Sequence, residues 1–114
     1  MDEILSIKKL IEMLSMFPPT TPFLNAPTKP HAYLKTQNIA FVVGQTVFDQ
    51  NPTKDVSEVI HMLQRMIGME YHVELPLKDK ALVYLVDNMH HAGEGVIGIK
   101  ITSRGITLIK ENRF

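Results

Sequence analysis

The chain has 114 residues, 45% of them hydrophobic, and 12 basic side chains against 12 acidic ones. That length and apolar content suit a single domain over 1–114 that buries its own core. Balanced charge excludes a binder that relies on a broad Lys/Arg surplus, and also a disordered chain of low hydrophobicity and high net charge.

Cysteine is absent. Disulfides, thiolate nucleophiles, Cys-ligated zinc and iron–sulfur clusters therefore lie outside this protein's chemistry. The opening Met1-Asp2-Glu3-Ile4-Leu5-Ser6-Ile7-Lys8-Lys9 threads charges through its apolar residues and lacks a signal-peptide core. The longest apolar run, Ala81 to Val86, has six residues. A membrane span needs roughly 20. The expectation is a small cytoplasmic protein with no membrane segment.

Residues 2–16 carry a helical period. Ile4, Ile7, Leu10, Ile11, Leu14 and Phe17 recur at three- and four-residue steps, and Pro18-Pro19 stops the run. Residues 18–37 are a connector holding five of the seven prolines, at 18, 19, 22, 27 and 30. Proline at that density cannot supply the donors of a helix or a ladder. Phe23, Leu24, Tyr33 and Leu34 are its expected anchors.

Residues 38–48 read as a strand with apolar side chains on both faces, and 54–67 as an amphipathic helix. Thr53 is the expected N-cap of that helix, and Gly68 fits the position just after its end. Residues 69–75 alternate as a half-buried strand, with Glu70, His72 and Glu74 on the wet side.

Residues 77–91 admit two readings. Val83, Tyr84 and Val86 favour a strand, while Leu77, Ala81, Leu85 and Met89 would form a helical stripe. Residues 95–111 read as a hairpin turning at Thr102-Ser103-Arg104-Gly105. The expected fold class is α+β: N-terminal helix, Pro-rich connector, strand, helix, then an antiparallel β-meander or hairpin of three to four strands. Residues 1–37 hold the helix and connector, and 38–114 the compact α+β part.

Catalytic signatures are sparse. None of Ser6, Ser15, Ser57 and Ser103 sits in a Gly-x-Ser-x-Gly elbow. Gly93-Glu94-Gly95 and Gly98 lack the order of a phosphate-cradling loop. His72, Glu74, His90 and His91 are candidate metal ligands, because imidazole and carboxylate together suit a divalent ion. Their spacing matches no established ligand pattern, and no cofactor is expected.

Charge is unevenly spread. Residues 50–94 hold four bases and seven acids. Residues 95–114 hold four bases (Lys100, Arg104, Lys110, Arg113) and one acid. These four bases are the candidate binding residues, for an acidic partner or a phosphate.

The segment Ile101-Thr102-Ser103-Arg104-Gly105-Ile106-Thr107-Leu108-Ile109-Lys110-Glu111 resembles the end of winged-helix domains, where a strand runs into Thr-x-x-Gly-x-x-Leu and starts a last helix. That resemblance implies a helix at 77–91, a winged-helix C-terminal half and a nucleic-acid-binding regulator. The residue types alone favour a non-catalytic binding or regulatory protein. It would act through a protein partner, or by self-association through the N-terminal helix as a homodimer. A small metal-dependent enzyme is the third reading.

Overall fold

The computed structural model describes residues 3–27, 29–32, 39–43, 54–68, 78–86 and 94–111. Among them lie two helices and seven strands, and the fold is α+β. The sheet is mixed, in the order β2-β3-β5-β6-β7-β1-β4.

Helix α1 covers Ile7–Leu14 and is shorter than its apolar period suggests. Ser6 is the N-cap, its hydroxyl accepting from the Lys9 amide at 3.1 Å. Residues before Ser6 are drawn into the sheet instead. Ile4 continues the helical spacing numerically but lies on an extended segment. The helix ends as Ser15 and Met16 close its last turn, just before Pro18-Pro19. Ile7, Leu10 and Leu14 point inward and are 0–1% exposed. Truncating a side chain buried like Leu10 to Ala costs about 2–5 kcal/mol.

The proline connector is part of the fold. It supplies β1 (Pro22–Phe23) and β2 (Lys29–Ala32). Phe23 is fully buried, Asn25 turns the chain at φ 52°, and Ala26 is also fully buried. Leu24 is half-buried, while Tyr33 and Leu34 lie outside the described residues. Proline is tolerated here because β1 is two residues long and β2 is a sheet edge.

Strand β3 (Ile39–Val43) lies between β2 and β5. It pairs antiparallel with β2 and parallel with β5 (Leu82–Val86). A parallel neighbour demands a crossover connection. The chain between Val43 and Leu82 provides it, carrying β4 (Lys54–Asp55) and α2 (Val56–Met66).

The N-cap of α2 is Asp55, not Thr53. The difference arises because β4 pairs with β1 and holds Lys54 and Asp55 extended. Val56, Val59, Leu63 and Met66 are fully buried, and Gly68 follows at φ 88°. The alternating segment 69–75 lies outside the described residues.

Residues 82–86 form a strand, so the helical reading of 77–91 fails over that stretch. Leu82, Val83, Tyr84, Leu85 and Val86 all pair with β3. Strands β6 (Glu94–Thr102) and β7 (Gly105–Glu111) complete an antiparallel meander with β5. Residues 105–111 therefore continue a hairpin where a winged-helix domain would start its last helix. Ile106, Thr107 and Ile109 suit a strand for the same β-branched reason.

One apolar cluster joins α1, α2 and one face of the sheet, through Phe23, Val83, Leu85, Val96, Ile106 and Leu108. Tyr84 lies on the other face, packed with Ile4 and Leu82. Gly105, at φ 147°, lets β1 approach β7, because a Cβ there would collide with the Pro22 carbonyl oxygen.

The N-terminal segment closes a fork in the sheet. Strands β5 and β6 pair only at Tyr84↔Gly95 and Leu85↔Glu94. Where they part, Leu5 enters between them. Its amide donates to the Val96 carbonyl at 2.8 Å, and its carbonyl accepts from the Val83 amide at 2.9 Å. Ile7 donates to Ala81 and Lys8 to Asp79, both at 2.9 Å. Ile4 lies directly over Gly95, where an added Cβ would stand 2.6 Å from Ile4 Cδ1.

Gly95→Ala should therefore lower stability by about 1 kcal/mol, the low end for an overpacked site, since the tip of Ile4 can give way. Adding Ile4→Ala should recover part of that loss, because both effects share one contact. Urea denaturation of the single and double variants checks this. Strictly additive losses would show that the two positions do not meet.

Candidate functional site

The described candidate bases, Lys100, Arg104 and Lys110, are spread along one hairpin. Arg113, like the candidate metal ligands His72, Glu74, His90 and His91, lies outside the described residues. Among the described residues, no group of three or more His, Asp or Glu side chains could hold a metal ion. Lys100, Arg104 and Lys110 all lie on the β6–β7 hairpin.

Lys110 belongs to the base of that hairpin. It pairs with Glu94 at 3.8 Å, both side chains partly exposed, and this cancels its charge locally. Such a surface pair contributes about 0–1 kcal/mol. Lys100 stands opposite Thr107, three positions from Lys110 along β7 and so about 10 Å from it. Arg104 sits at the far end, in the loop between Thr102 and Gly105. Lys100 and Arg104 are exposed, and among the described residues neither forms an ion pair.

The hairpin tip is braced from within. The Thr102 hydroxyl donates to the Gly105 carbonyl at 2.8 Å and accepts from the Arg104 amide at 3.2 Å. Thr102 thus holds the turn in a side-chain motif of the kind short polar residues favour.

A bulge sets which side chains reach the core. Val96 pairs with Lys110 but Gly98 with Ile109, so Ile97 is the extra residue. After this shift Ile99 packs against the core. Ile101 shares its face with Ile106 across the ladder, yet the two differ sharply. Ile106 is 1% exposed and belongs to the core cluster, while Ile101 is 73% exposed. Ile109, on the opposite face over Gly98, is 40% exposed. Neither isoleucine is distinguished in the sequence, where both read as ordinary strand residues. The interruption of β6's apolar run by Gly98 was the available hint of a bulge.

The N-terminus of α2 is not an anion site, because its donors are used. Val56 donates to the Thr21 carbonyl at 2.9 Å and Ser57 to the Pro19 carbonyl at 3.1 Å. Glu58 donates to Asp55 Oδ1 at 3.0 Å, and the Ser57 hydroxyl to the same oxygen at 2.6 Å. The Ser57 hydroxyl first, and the Glu58 amide second, hold the Asp55 carboxyl below the ordinary value of 3.8. No helix among the described residues is long and apolar enough to cross a membrane.

No known family model matches this chain, and no curated protein or solved structure is detectably similar to it. The functional reading rests on the chain's own residues.

The Asp55 arrangement predicts a pH dependence. Its folded-state pKa is depressed, so its contribution is complete above the unfolded value and is lost as pH falls through the folded one. Asp55→Asn keeps a capping side chain without the charge. Below about pH 4, wild-type stability should fall more steeply than that of the variant. Urea midpoints measured across the acid range check this; parallel curves would remove the assignment.

Proposed function

We propose that this protein is a non-catalytic binding module acting through protein contacts, with the β6–β7 hairpin as its contact surface. The observation that carries this reading is Ile101: a large apolar side chain, 73% exposed, beside a hairpin turn braced by Thr102. An apolar residue that the core leaves uncovered, next to a hydrogen-bonded turn, suits a docking surface.

Self-association through α1 loses the basis on which it was expected. The apolar face that needed a cover is buried within its own chain, at Ile7, Leu10 and Leu14. The winged-helix reading likewise loses its last helix to β7.

Two measurements test the proposal. Ile101→Ser should leave the urea midpoint within about 0.5 kcal/mol of wild type, as expected for a residue outside the core. A photo-crosslinking side chain at position 101, in cells that produce the protein, should yield a discrete protein adduct. The same group at position 16, where Met16 is 84% exposed, should not. Identical adducts from both positions, or none from either, would remove the hairpin as a contact surface.

A further inference from the structure

Resting on that reading, the backbone of β6 narrows the partner. The edge of β6 that faces β5 is used only at its start, where β5 pairs with Glu94 and Gly95 and Leu5 bonds the Val96 carbonyl. Beyond Val96 that edge meets no other strand among the described residues. The direction of its backbone groups follows from the neighbouring strand. The Ile106 carbonyl accepts from the Leu24 amide at 2.7 Å, so Ile106 turns its polar groups toward β1 and away from β6. Ile101 stands opposite Ile106. Residues opposite each other in an antiparallel pair exchange both bonds or neither. Ile101 therefore turns its N–H and C=O to the open edge, and so does Ile99, two residues earlier. Lys100 and its opposite residue, Thr107, bond each other instead.

A row of unpaired N–H and C=O groups is a template for another strand. This edge is complementary to itself. Two copies related by a two-fold axis pair antiparallel, with outward-bonding residues opposite one another. Among the registers centred on residues 99–101, one on Lys100 sets Lys100 against its own copy, and like charges directly opposite are destabilising. One on Ile99 drives the second copy's turn into the place that Leu5 holds beside Val96. The register centred on Ile101 avoids both. It places Ile101 against Ile101 on the core face of the sheet and Lys100 against Thr102 on the opposite face. The second copy then turns away opposite Ile99, short of Leu5. Each copy covers the other's most exposed isoleucine.

We propose that the open edge of β6 at Ile99 and Ile101 pairs with the same edge of a second copy, antiparallel about a two-fold axis at Ile101. The hydrogen bonds of Thr102 order the turn before association, which lowers the cost of pairing.

Sedimentation equilibrium of the full chain over a range of concentrations reads this association, and a reversible dimer is expected. Hydrogen exchange at the Ile99 and Ile101 amides should slow as concentration rises, while the Lys100 amide, bonded within the hairpin, stays unchanged. Ile101→Lys sets two lysines across the axis and should raise the dissociation constant about tenfold or more. Ile101→Glu should do the same, and an equimolar mixture of the two variants should associate again, because opposite charges then meet. Position 101 is exposed, and dispersed amide spectra confirm that both variants fold. A wild-type chain monomeric at every concentration, a dimer that Ile101→Lys leaves intact, variants that stay apart when mixed, or protection confined to other residues would each overturn the proposal. If the chain is monomeric while position 101 cross-links a different protein, the second copy is refuted and the binding-module reading stands. A monomer with no adduct at position 101 refutes both.

Discussion

The fold depends on the insertion of Leu5 between β5 and β6. Val83 and Val96 are both fully buried at the point where their strands part. Without Leu5 the Val83 amide and the Val96 carbonyl would face each other across a gap too wide to bond. A buried polar group left without a partner costs about 1–3 kcal/mol. Leu5 satisfies both groups at once, and the bonds from Ile7 and Lys8 extend the same seam. Ser6 then caps α1 immediately, so the seam also sets where the helix starts and which way it leaves the sheet. Ile7, Leu10 and Leu14 reach the core because of that placement.

A second tie joins the connector to α2. The carbonyls of Pro19 and Thr21 accept from the first two amides of the helix, groups that have no partner within the helix itself. One residue further, β1 pairs with both β7 and β4. The prolines are therefore compatible with a structural role: they stiffen a short passage whose Pro18, Pro19 and Thr21 carbonyls all accept backbone hydrogen bonds, while the amides of Thr21 and Leu24 donate. Both outer strands of the sheet are poor templates for further pairing, since β2 contains Pro30 and β4 has two residues.

The hairpin departs from this economy of short, covered elements. Strand β6 is the longest in the sheet among the described residues, and burial falls off toward its far end, where Lys100 and Ile101 are exposed. The bulge at Ile97 re-aims its side chains, sending Ile99 to the core and leaving Ile101 outside it. Thr102 and Gly105 then hold the turn, Gly105 for the added reason that β1 passes too close for a side chain. The neutral charge of the whole chain conceals this local asymmetry. Seven acids fall in residues 50–94, and the one acid of residues 95–114 is Glu111.

Local chemistry determined much of this protein by sequence alone. The α+β class, the stop at Pro18-Pro19, the apolar stripe of α2 and the hairpin turn at residues 102–105 all follow from side-chain sterics, period and backbone freedom within a few residues. Tertiary structure decided the rest. The parallel pairing of β3 with β5, the diversion of Ile4 from helix to sheet, the shift of the α2 cap to Asp55 and the exposure of Ile101 each depend on a partner far away in the chain. A backbone amide bonds whichever carbonyl folding brings to it, and an isoleucine is buried only where another element arrives to cover it. Neither fact is written in the residue's own neighbourhood.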